Sequence, residues 1–186
     1  MTKNLIDLFD DADIRKTLFV KVNGEYYKRN GSYVTSKICS RRNNDSDGTA
    51  GSGTVNFAEG EFNMIRGSEM YLIIAELAAD NNKETEALDA LNAVKTARGL
   101  QPYSGSGDAL KTEIQNERRR ELFAEGHRWF DIKRRNLPLD RSNVAEDWSR
   151  VGTIPAGSDK LELLIPQDEI DANGALTESD QNPQYK

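Results

Sequence analysis

The strongest pattern of apolar and polar positions lies between residues 65 and 135, and it predicts a succession of helices. In the first helix, apolar side chains fall on two adjacent faces of a 3.6-residue period. One face contains Tyr71, Ile74, Ala75 and Ala78, and the other contains Met70, Ile73 and Leu77. A helix that is apolar over so wide an arc is expected to pack on more than one side.

Two more helices and a short fourth one are predicted after it. Asn82 is the predicted N-cap of the second helix, and Gly99 is its predicted C′ residue. Asp108 is the predicted cap of the third helix, which Gly126 ends or kinks, and a short helix follows over 128–135. The apolar stripes of the second and third helices consist of Ala87, Leu88, Leu91 and Val94, and of Leu110, Ile114, Leu122 and Phe123.

The first sixty residues have a pattern that is typical of short strands and turns. A short helix is predicted to start within 7–15. Three extended runs rich in Val, Tyr and Phe follow, and an Asn-Gly pair separates each run from the next; the runs are 17–22, 25–29 and 32–38. Asn-Gly favours a two-residue hairpin turn, because both of its residues accept positive φ. We predict a small antiparallel meander, followed by a polar, glycine-rich loop over 43–54.

The C-terminal part has little periodicity. The segment 161–166 is predicted as one short buried strand or extended segment, and the rest as turns. We therefore expect three zones: a β-meander and loop over 1–60, a helical region over 61–138 and an irregular segment over 139–186.

The first two predicted helices fit the tetratricopeptide pattern, a 34-residue helix-turn-helix repeat. With the second-helix alanine of the repeat set at Ala87, its aromatic position falls on Tyr71 and its small position on Ala75. The small side chains of Ala75 and Ala87 would let the two helix axes approach closely. Ala78 departs from the pattern, which usually has Tyr there. An ordinary αα-hairpin is the alternative interpretation, and a single repeat would need partners to stack on.

The composition excludes several classes of protein. The 186 residues include 25 Lys and Arg against 31 Asp and Glu, a net charge of −6, which weakens a nucleic-acid interpretation. The apolar run 70–79 contains Glu76 and is far shorter than the roughly 20 residues of a membrane helix. A single cysteine, Cys39, excludes a disulfide framework, and a single histidine, His127, argues against a Ser-His-Asp triad. The N-terminus lacks the apolar core of a signal peptide, so an exported form is expected to have lost its signal.

The segment 117–135 holds seven basic residues and one histidine against four acidic residues. A nucleic-acid interpretation would place its arginines on phosphates and use Trp129 and Phe130 for stacking. However, the interleaved acids would repel a phosphate backbone, so we favour intramolecular ion pairs.

The spacing in this segment predicts the pairs Glu117–Arg120 and Arg118–Glu121, which are three residues apart on a helix. Arg118 falls between Ile114 and Leu122 on the apolar stripe of the third helix, so its charge is expected to be buried and paired. We predict that Arg118 and Asp131 each lie in a buried or half-buried ion-pair network, which locks the third helix to the short one after it.

Other candidate chemistry is weaker. Asn43, Asp45, Asp47 and Gly48 match the first half of a calcium loop, but Thr54 stands where the bidentate Glu is expected, which favours a solvated loop. No phosphate-binding loop or activated nucleophile is found. The sequence therefore predicts no catalytic residue, metal or cofactor. Tyr103 and Trp148, which are flanked by loop residues, are the candidate exposed aromatics for stacking on a ligand.

Four segments, in their order and spacing, resemble the C-terminal part of the SusD/RagB family. They are 69–99, the charged segment ERRRELFAEGHRWFDIKRR over 117–135, LLIPQDEI over 163–170 and QNPQY over 181–185. In addition, Asp13 and Arg15 with the extended aromatic residues after them are similar to the segment that precedes the helices in that family. The resemblance covers residues 11–186.

The resemblance implies a mainly α fold, in which tetratricopeptide-like helix pairs are combined with a small antiparallel β-meander and long irregular loops. It implies non-catalytic capture of a glycan or other nutrient at the surface of the outer membrane of Bacteroidetes. Delivery would be to a TonB-dependent transporter of the SusC type. Family members are longer lipoproteins, so membrane contact would be only through a lipid anchor absent from this chain, and Cys39 is not the lipidated cysteine.

The residues that match the family motifs are expected to be structural, and the ligand-binding residues are unknown. The matching residues are Glu69, Glu76, Asn92, Arg98, Glu117, Arg118, Glu121, Gly126, Arg128, Asp131 and Arg134. The main alternative is a stand-alone helical-repeat module that binds a peptide or protein. A third interpretation is a glycosidase with a carboxylate pair, although nothing in the sequence selects one pair.

Overall fold

The computed structural model describes residues 2–29, 32–35, 40–41, 61–62, 65–140 and 152–185. Contacts within the chain divide it into two compact units, Met1–His127 and Arg128–Lys186, and each is described by itself. The predicted division into three zones stays a prediction.

The first unit begins with short elements and continues with three long helices. Its α-helices are α1 (Lys3–Ile6), α2 (Gly67–Asp80), α3 (Glu84–Ala97) and α4 (Gly107–Glu121), and a 3-10 helix covers Ile14–Leu18. Its strands are β1 (Lys21–Val22), β2 (Glu25–Tyr26), β3 (Lys28–Arg29), β4 (Ser32–Tyr33), β5 (Ser40–Arg41) and β6 (Glu61–Phe62). The mainly α fold with small antiparallel sheets is thus confirmed. The short helix predicted within 7–15 is misplaced: α1 ends at Ile6, and within 7–15 only Ile14 and Arg15 are helical, at the start of the 3-10 helix.

Helices α2, α3 and α4 enclose the main core of this unit. Its buried side chains are Leu72, Ala75, Ala78, Ala79, Ala87, Ala90, Leu91, Val94, Leu110 and Ile114. Ala75 and Ala87 are fully buried, which agrees with a close approach of the helices. Helix α2 packs against both α3 and α4. However, neither of its two predicted apolar faces is fully buried. Four of its large side chains are exposed: Met70, Tyr71, Ile74 and Leu77.

Two helix ends differ from the sequence prediction. Asn82 does not cap α3; it adopts a positive φ of 58° after α2, and the N–H of Lys83 closes that end on the carbonyl of Ala78 at 2.8 Å. Asp108 does not cap α4, whose first N–H, that of Gly107, is bound by Glu84 Oε1 at 2.7 Å. The N–H groups of Lys83 and Gly107 therefore bind partners other than the predicted caps.

The end of α3 is as predicted. Gly99 lies at C′ with a φ of 81°, and the N–H of Leu100 binds the carbonyl of Lys95 at 3.1 Å. This pair of features is a Schellman closure, which favours glycine at the left-handed position.

The predicted meander consists of two consecutive hairpins. Asn23 and Gly24 both have positive φ, as a two-residue hairpin turn requires, and Lys21 pairs with Tyr26 across the strands. Lys28 and Tyr33 pair in the same way in the second hairpin. The hairpins pack on a second core formed by Leu5, Ile6, Phe9, Phe19 and Phe123.

A closed ring of three backbone hydrogen bonds joins the two hairpins. Val20 donates to Val34, Val34 donates to Tyr27, and Tyr27 donates to Val20, at 2.8–3.1 Å. The three residues are seven positions apart, so the chain returns to the same point after each hairpin.

The second unit contains few regular elements. Helix α5 (His127–Arg134) lies at its start and α6 (Gln167–Ala172) within it, and 3-10 helices cover Asp159–Leu161, Glu178–Asp180 and Pro183–Tyr185. Its core consists of Ile132, Ile154 and Leu161, with Trp129, Leu137 and Leu139 packed against it. No helix in the described ranges is long and apolar enough to span a bilayer.

The segment 161–166, predicted as a short buried strand or extended segment, is buried only in part. Leu161 is buried, but Leu163 and Leu164 are exposed, and the segment pairs with no strand among the described residues. Instead, the side chain of Gln181 replaces a strand: its Oε1 accepts from the N–H of Ile165 at 2.9 Å, and its Nε2 donates to the carbonyl of the same residue at 2.8 Å. Asn182 Nδ2 donates to the carbonyls of Asp159 and Glu162.

We expect Gln181→Ala to destabilise the second unit by about 1–3 kcal/mol, because it leaves both backbone groups of Ile165 without their side-chain partner. Urea denaturation with the amide exchange rate of Ile165 as a local probe measures the effect. Gln184 is exposed, so Gln184→Ala is the control and should change little. Equal effects of the two substitutions would contradict this account.

Candidate functional site

The centre of the first unit is a set of paired charges that begins at the segment before the hairpins. Asp13 caps the 3-10 helix by accepting from the N–H of Arg15 at 2.9 Å, and it also binds the Arg15 guanidinium at 2.7 Å. Nη1 of Arg15 lies 2.7 Å from Glu117 Oε1 and 2.8 Å from Glu121 Oε2. Arg15 thus joins the N-terminal segment to α4 by an ion pair with Glu117 and a charge-assisted hydrogen bond to Glu121.

Glu121 is the acceptor for three arginines. Besides Arg15, Arg66 approaches it at 2.9 Å and Arg98 at 2.7 Å. Burial alone would raise the pKa of Glu121, but the hydrogen bonds from Arg98 and Arg66 hold this pKa well below its usual range. The carboxylate is therefore ionised at any physiological pH.

The set of charges continues along α4. Arg120 binds Glu117 at 2.7 Å and Glu113 at 2.6 Å, and Lys95 also binds Glu113, at 2.5 Å. We call the whole set the arginine–carboxylate network. Its members among the described residues are five acids and five cations: Asp13, Glu113, Glu117, Glu121 and Glu125, with Arg15, Arg66, Lys95, Arg98 and Arg120.

Two of the predicted pairs involve residues of the network. The Glu117–Arg120 pair is confirmed, whereas the Arg118–Glu121 pair stays a prediction. Arg118 and Asp131 are both buried, and Asp131 pairs with Arg134 at 2.7 Å, in agreement with the expectation of buried or half-buried charges. The lock between the third helix and the short one after it stays a prediction.

The remaining family-motif residues lie at helix ends and beside the main core. Glu69 approaches His127 Nδ1 at 3.5 Å, Glu76 is buried on α2, and Arg128 is exposed. Gly126 has a φ of 86° between α4 and α5, a backbone conformation that favours glycine. Asn92 holds the backbone of the loop after α3, as described next.

Tyr103 is not the exposed aromatic that the sequence predicts. Asn92 binds both its N–H, at 2.6 Å, and its carbonyl, at 3.0 Å, and the half-buried ring packs on the main core with Lys95 Nζ 5.8 Å from its centroid. The local sequence looks like a loop, but the amide of Asn92 turns it back onto the helices. Trp148 and the possible calcium loop over 43–48 lie outside the described residues.

We expect Gly105→Ala to push the Tyr103 ring off the core, because a Cβ at position 105 would lie 2.3 Å from the Tyr103 hydroxyl oxygen. Such overpacking costs about 1–3 kcal/mol. Thermal denaturation measures the loss, and tyrosine side-chain chemical shifts report the ring position. Gly67 has open space around the corresponding Cβ position. Gly67→Ala should therefore be neutral or stabilising. A loss of stability in Gly67→Ala as large as that in Gly105→Ala would show that the clash with Tyr103 is not the cause.

Two open grooves border the network. The terminal groove, of about 640 Å³, runs beside the segment 7–12, and its floor is formed by Lys95, Glu113 and Arg120. The hairpin groove, of about 780 Å³, is lined by Asp11, Lys16, Thr17, Lys21 and Tyr26, with Asp13, Phe19 and Val20 at its base. Both volumes are in the range of small-ligand sites. Among the described residues, no three His, Cys, Asp or Glu side chains are placed to hold a metal ion.

The sequence reasoning missed the groove residues, although a signal for them exists. Lys21-Val-Asn-Gly-Glu-Tyr26 and Lys28-Arg-Asn-Gly-Ser-Tyr33 are two copies of the pattern Lys-x-Asn-Gly-x-Tyr, seven residues apart. In each copy the Lys Nζ lies 4.7 Å from the centroid of the Tyr ring. Only the first copy borders the hairpin groove.

The helix packing and the loops around it define the class of protein as a tetratricopeptide-like helical scaffold with attached hairpins and irregular segments. The SusD_RagB family model, described as the SusD family, matches residues 11–185. The chain therefore belongs to the SusD family.

Individual relatives agree with this assignment. A SusD superfamily structure from Bacteroides vulgatus is 26% identical with a TM-score of 0.73, and the match covers all of this chain and 39% of that one. The surface glycan-binding protein A from Bacteroides uniformis is 25% identical with a TM-score of 0.62, and the match covers 100% of this chain and 41% of that one. The SusD-like protein P38 of Formosa agariphila is 37% identical over 41% of this chain and 17% of its own length. The chain thus spans less than half of each relative.

Proposed function

We propose that this chain belongs to a non-catalytic protein that captures a glycan or other nutrient at the cell surface. The observation that carries the proposal is family membership over residues 11–185, together with the similarity to a protein described as a surface glycan-binding protein. The fold supports it, because a rigid helical scaffold held by the arginine–carboxylate network can present open grooves without a reactive group.

We further propose that a captured ligand is delivered to a TonB-dependent transporter of the SusC type, and that the protein acts at the outer membrane through a lipid anchor. This part of the proposal rests on the family resemblance. A co-purification of the protein with its transporter from native membranes tests it.

Isothermal titration calorimetry of the 186-residue chain against a panel of soluble oligosaccharides tests the capture of glycans. We expect saturable binding of at least one member and no hydrolysis of any. Hydrolysis of a bound oligosaccharide would overturn the non-catalytic assignment, and binding of none would overturn glycan capture by this chain.

One observation favours a second candidate, a module that binds a peptide or protein. Met70, Tyr71, Ile74 and Leu77 form an exposed apolar stripe on α2, and such stripes often mark interaction surfaces. A gene for a SusC-type transporter next to the gene for this protein would favour capture, and its absence would favour the module.

A further inference from the structure

We infer that the hairpin groove is a subsite for one sugar ring, a proposal that rests on the function proposed above. The groove combines an aromatic ring with groups that donate and accept hydrogen bonds. Tyr26 supplies the ring, Lys16 and Lys21 supply donors, and Asp11 supplies an acceptor; the hydroxyl of Thr17 donates to the carbonyl of Ile14 and can accept from a ligand.

A pyranose has this combination of surfaces. Its C–H faces pack on aromatic rings, and its hydroxyl groups bind carboxylates and ammonium groups at the rim of the ring. Tyr26 is half-buried and is fixed edge-on between Phe19, at 6.4 Å, and Tyr33, at 6.3 Å between centroids. The ring position is therefore set by packing before a ligand arrives, which lowers the entropic cost of binding.

Asp11 and Lys21 remain accessible for this role, whereas the Lys16 side chain is 20% exposed. The side chain of Asp11 is 98% exposed, and Lys16 holds it at 2.6 Å while also binding the carbonyl of Phe9. Among the described residues, Lys21 makes no ion pair, and its ammonium group lies over the Tyr26 ring. An exposed cation–π contact is weak, so Lys21 can leave the ring face and bind a ligand hydroxyl at little cost.

The terminal groove fits a sugar less well. Seven of its thirteen lining residues are charged, and the aromatic residue on its wall, Phe9, is buried with 3% exposure. A sugar would find no ring to pack on there. The combination of ring and polar groups therefore selects the hairpin groove.

The second copy of the Lys-x-Asn-Gly-x-Tyr pattern provides a matched control. Lys28 and Tyr33 have the same strand register, the same cation–π distance and a similar half-buried tyrosine, but they do not line the groove. Lys28→Met therefore reproduces the structural cost of Lys21→Met without touching the proposed subsite.

The experiment is an NMR titration of the 186-residue chain with the methyl glycosides of glucose, galactose and mannose and with glucuronate. We expect at least one probe to shift the signals of Lys21 and Tyr26. Lys21→Met should weaken its binding about tenfold, the effect of a lost charge-assisted contact, and Tyr26→Leu should weaken it by a similar factor because the ring face is lost, whereas the control Lys28→Met stays within about twofold.

Shifts confined to the terminal groove, or equal weakening by Lys21→Met and Lys28→Met, would overturn the subsite. Binding of oligosaccharides from the panel without binding of any of the four probes would also overturn the subsite. If neither the probes nor the panel bind, the proposed function itself fails, so the two failures are distinguishable. Circular dichroism of each variant confirms that it is folded before it is titrated.

Discussion

Glu121→Gln is expected to destabilise the first unit by about 3–5 kcal/mol, the usual cost of removing one partner from a buried ion pair. The Glu121 side chain is 2% exposed and accepts from Arg15, Arg66 and Arg98. A neutral amide cannot balance three guanidinium groups, and Arg98 loses its carboxylate partner. Urea denaturation followed by circular dichroism measures the loss.

The exposed Lys83–Glu86 pair is the control for this substitution. Its side chains are 66% and 54% exposed and 3.6 Å apart, so Glu86→Ala should cost no more than about 1 kcal/mol. A similar loss in both variants would show that the network contributes nothing specific.

The effect of Glu121→Gln should also depend on pH. The pKa of Glu121 is lowered in the folded state from an ordinary value of 4.5. The stability that the carboxylate contributes is therefore fully present above pH 4.5 and is lost as the pH falls towards the lowered folded value. The difference in unfolding free energy between the parent and Glu121→Gln should shrink on acidification; a constant difference would contradict the charge-based explanation.

The sequence predicts the local part of the network but not its long-range part. Glu117 and Arg120 are three residues apart on one helix, so periodicity alone identifies the pair. Arg15 is 106 residues from Glu121, and Arg66 is 55 residues from it. Such partners follow from tertiary packing, which no spacing rule encodes. The family resemblance marked Arg15 and Arg98 as part of a motif, without indicating that they meet at one carboxylate.

The same contrast between local sequence preferences and tertiary packing explains why some predicted elements agree with the structure and others differ from it. The first hairpin is predicted because Asn23 and Gly24 carry their turn preference in their own chemistry. The burial predicted for 161–166 is wrong in part because its apolar residues suggest a buried strand, whereas the backbone of Ile165 binds the distant side chain of Gln181. Tyr103 looks exposed in sequence because the amide that turns it inward belongs to Asn92, on the preceding helix.

Arg15→Met is the second substitution that we expect to destabilise the first unit strongly, again by about 3–5 kcal/mol. It removes the guanidinium that binds the fully buried carboxylates of Asp13 and Glu117, while Glu117 retains Arg120 and Glu121 retains Arg66 and Arg98. The loss should therefore fall mainly on the N-terminal segment around Asp13. That segment forms a wall of both grooves.

Hydrogen exchange distinguishes this local loss from a general one. In Arg15→Met, the amides of Val20, Tyr27 and Val34, which close the ring between the hairpins, should exchange faster, while those of α2 and α3 keep their protection. Arg15→Lys should lie between the parent and Arg15→Met, because an ammonium group keeps the charge but lacks the planar fork that binds two carboxylates together. Lys3→Met, which removes an exposed partner of Asp7 in the same segment, should change neither quantity. Faster exchange throughout α2 and α3 would show instead that Arg15 supports the main core, and that the groove walls and the helical scaffold unfold as one cooperative unit.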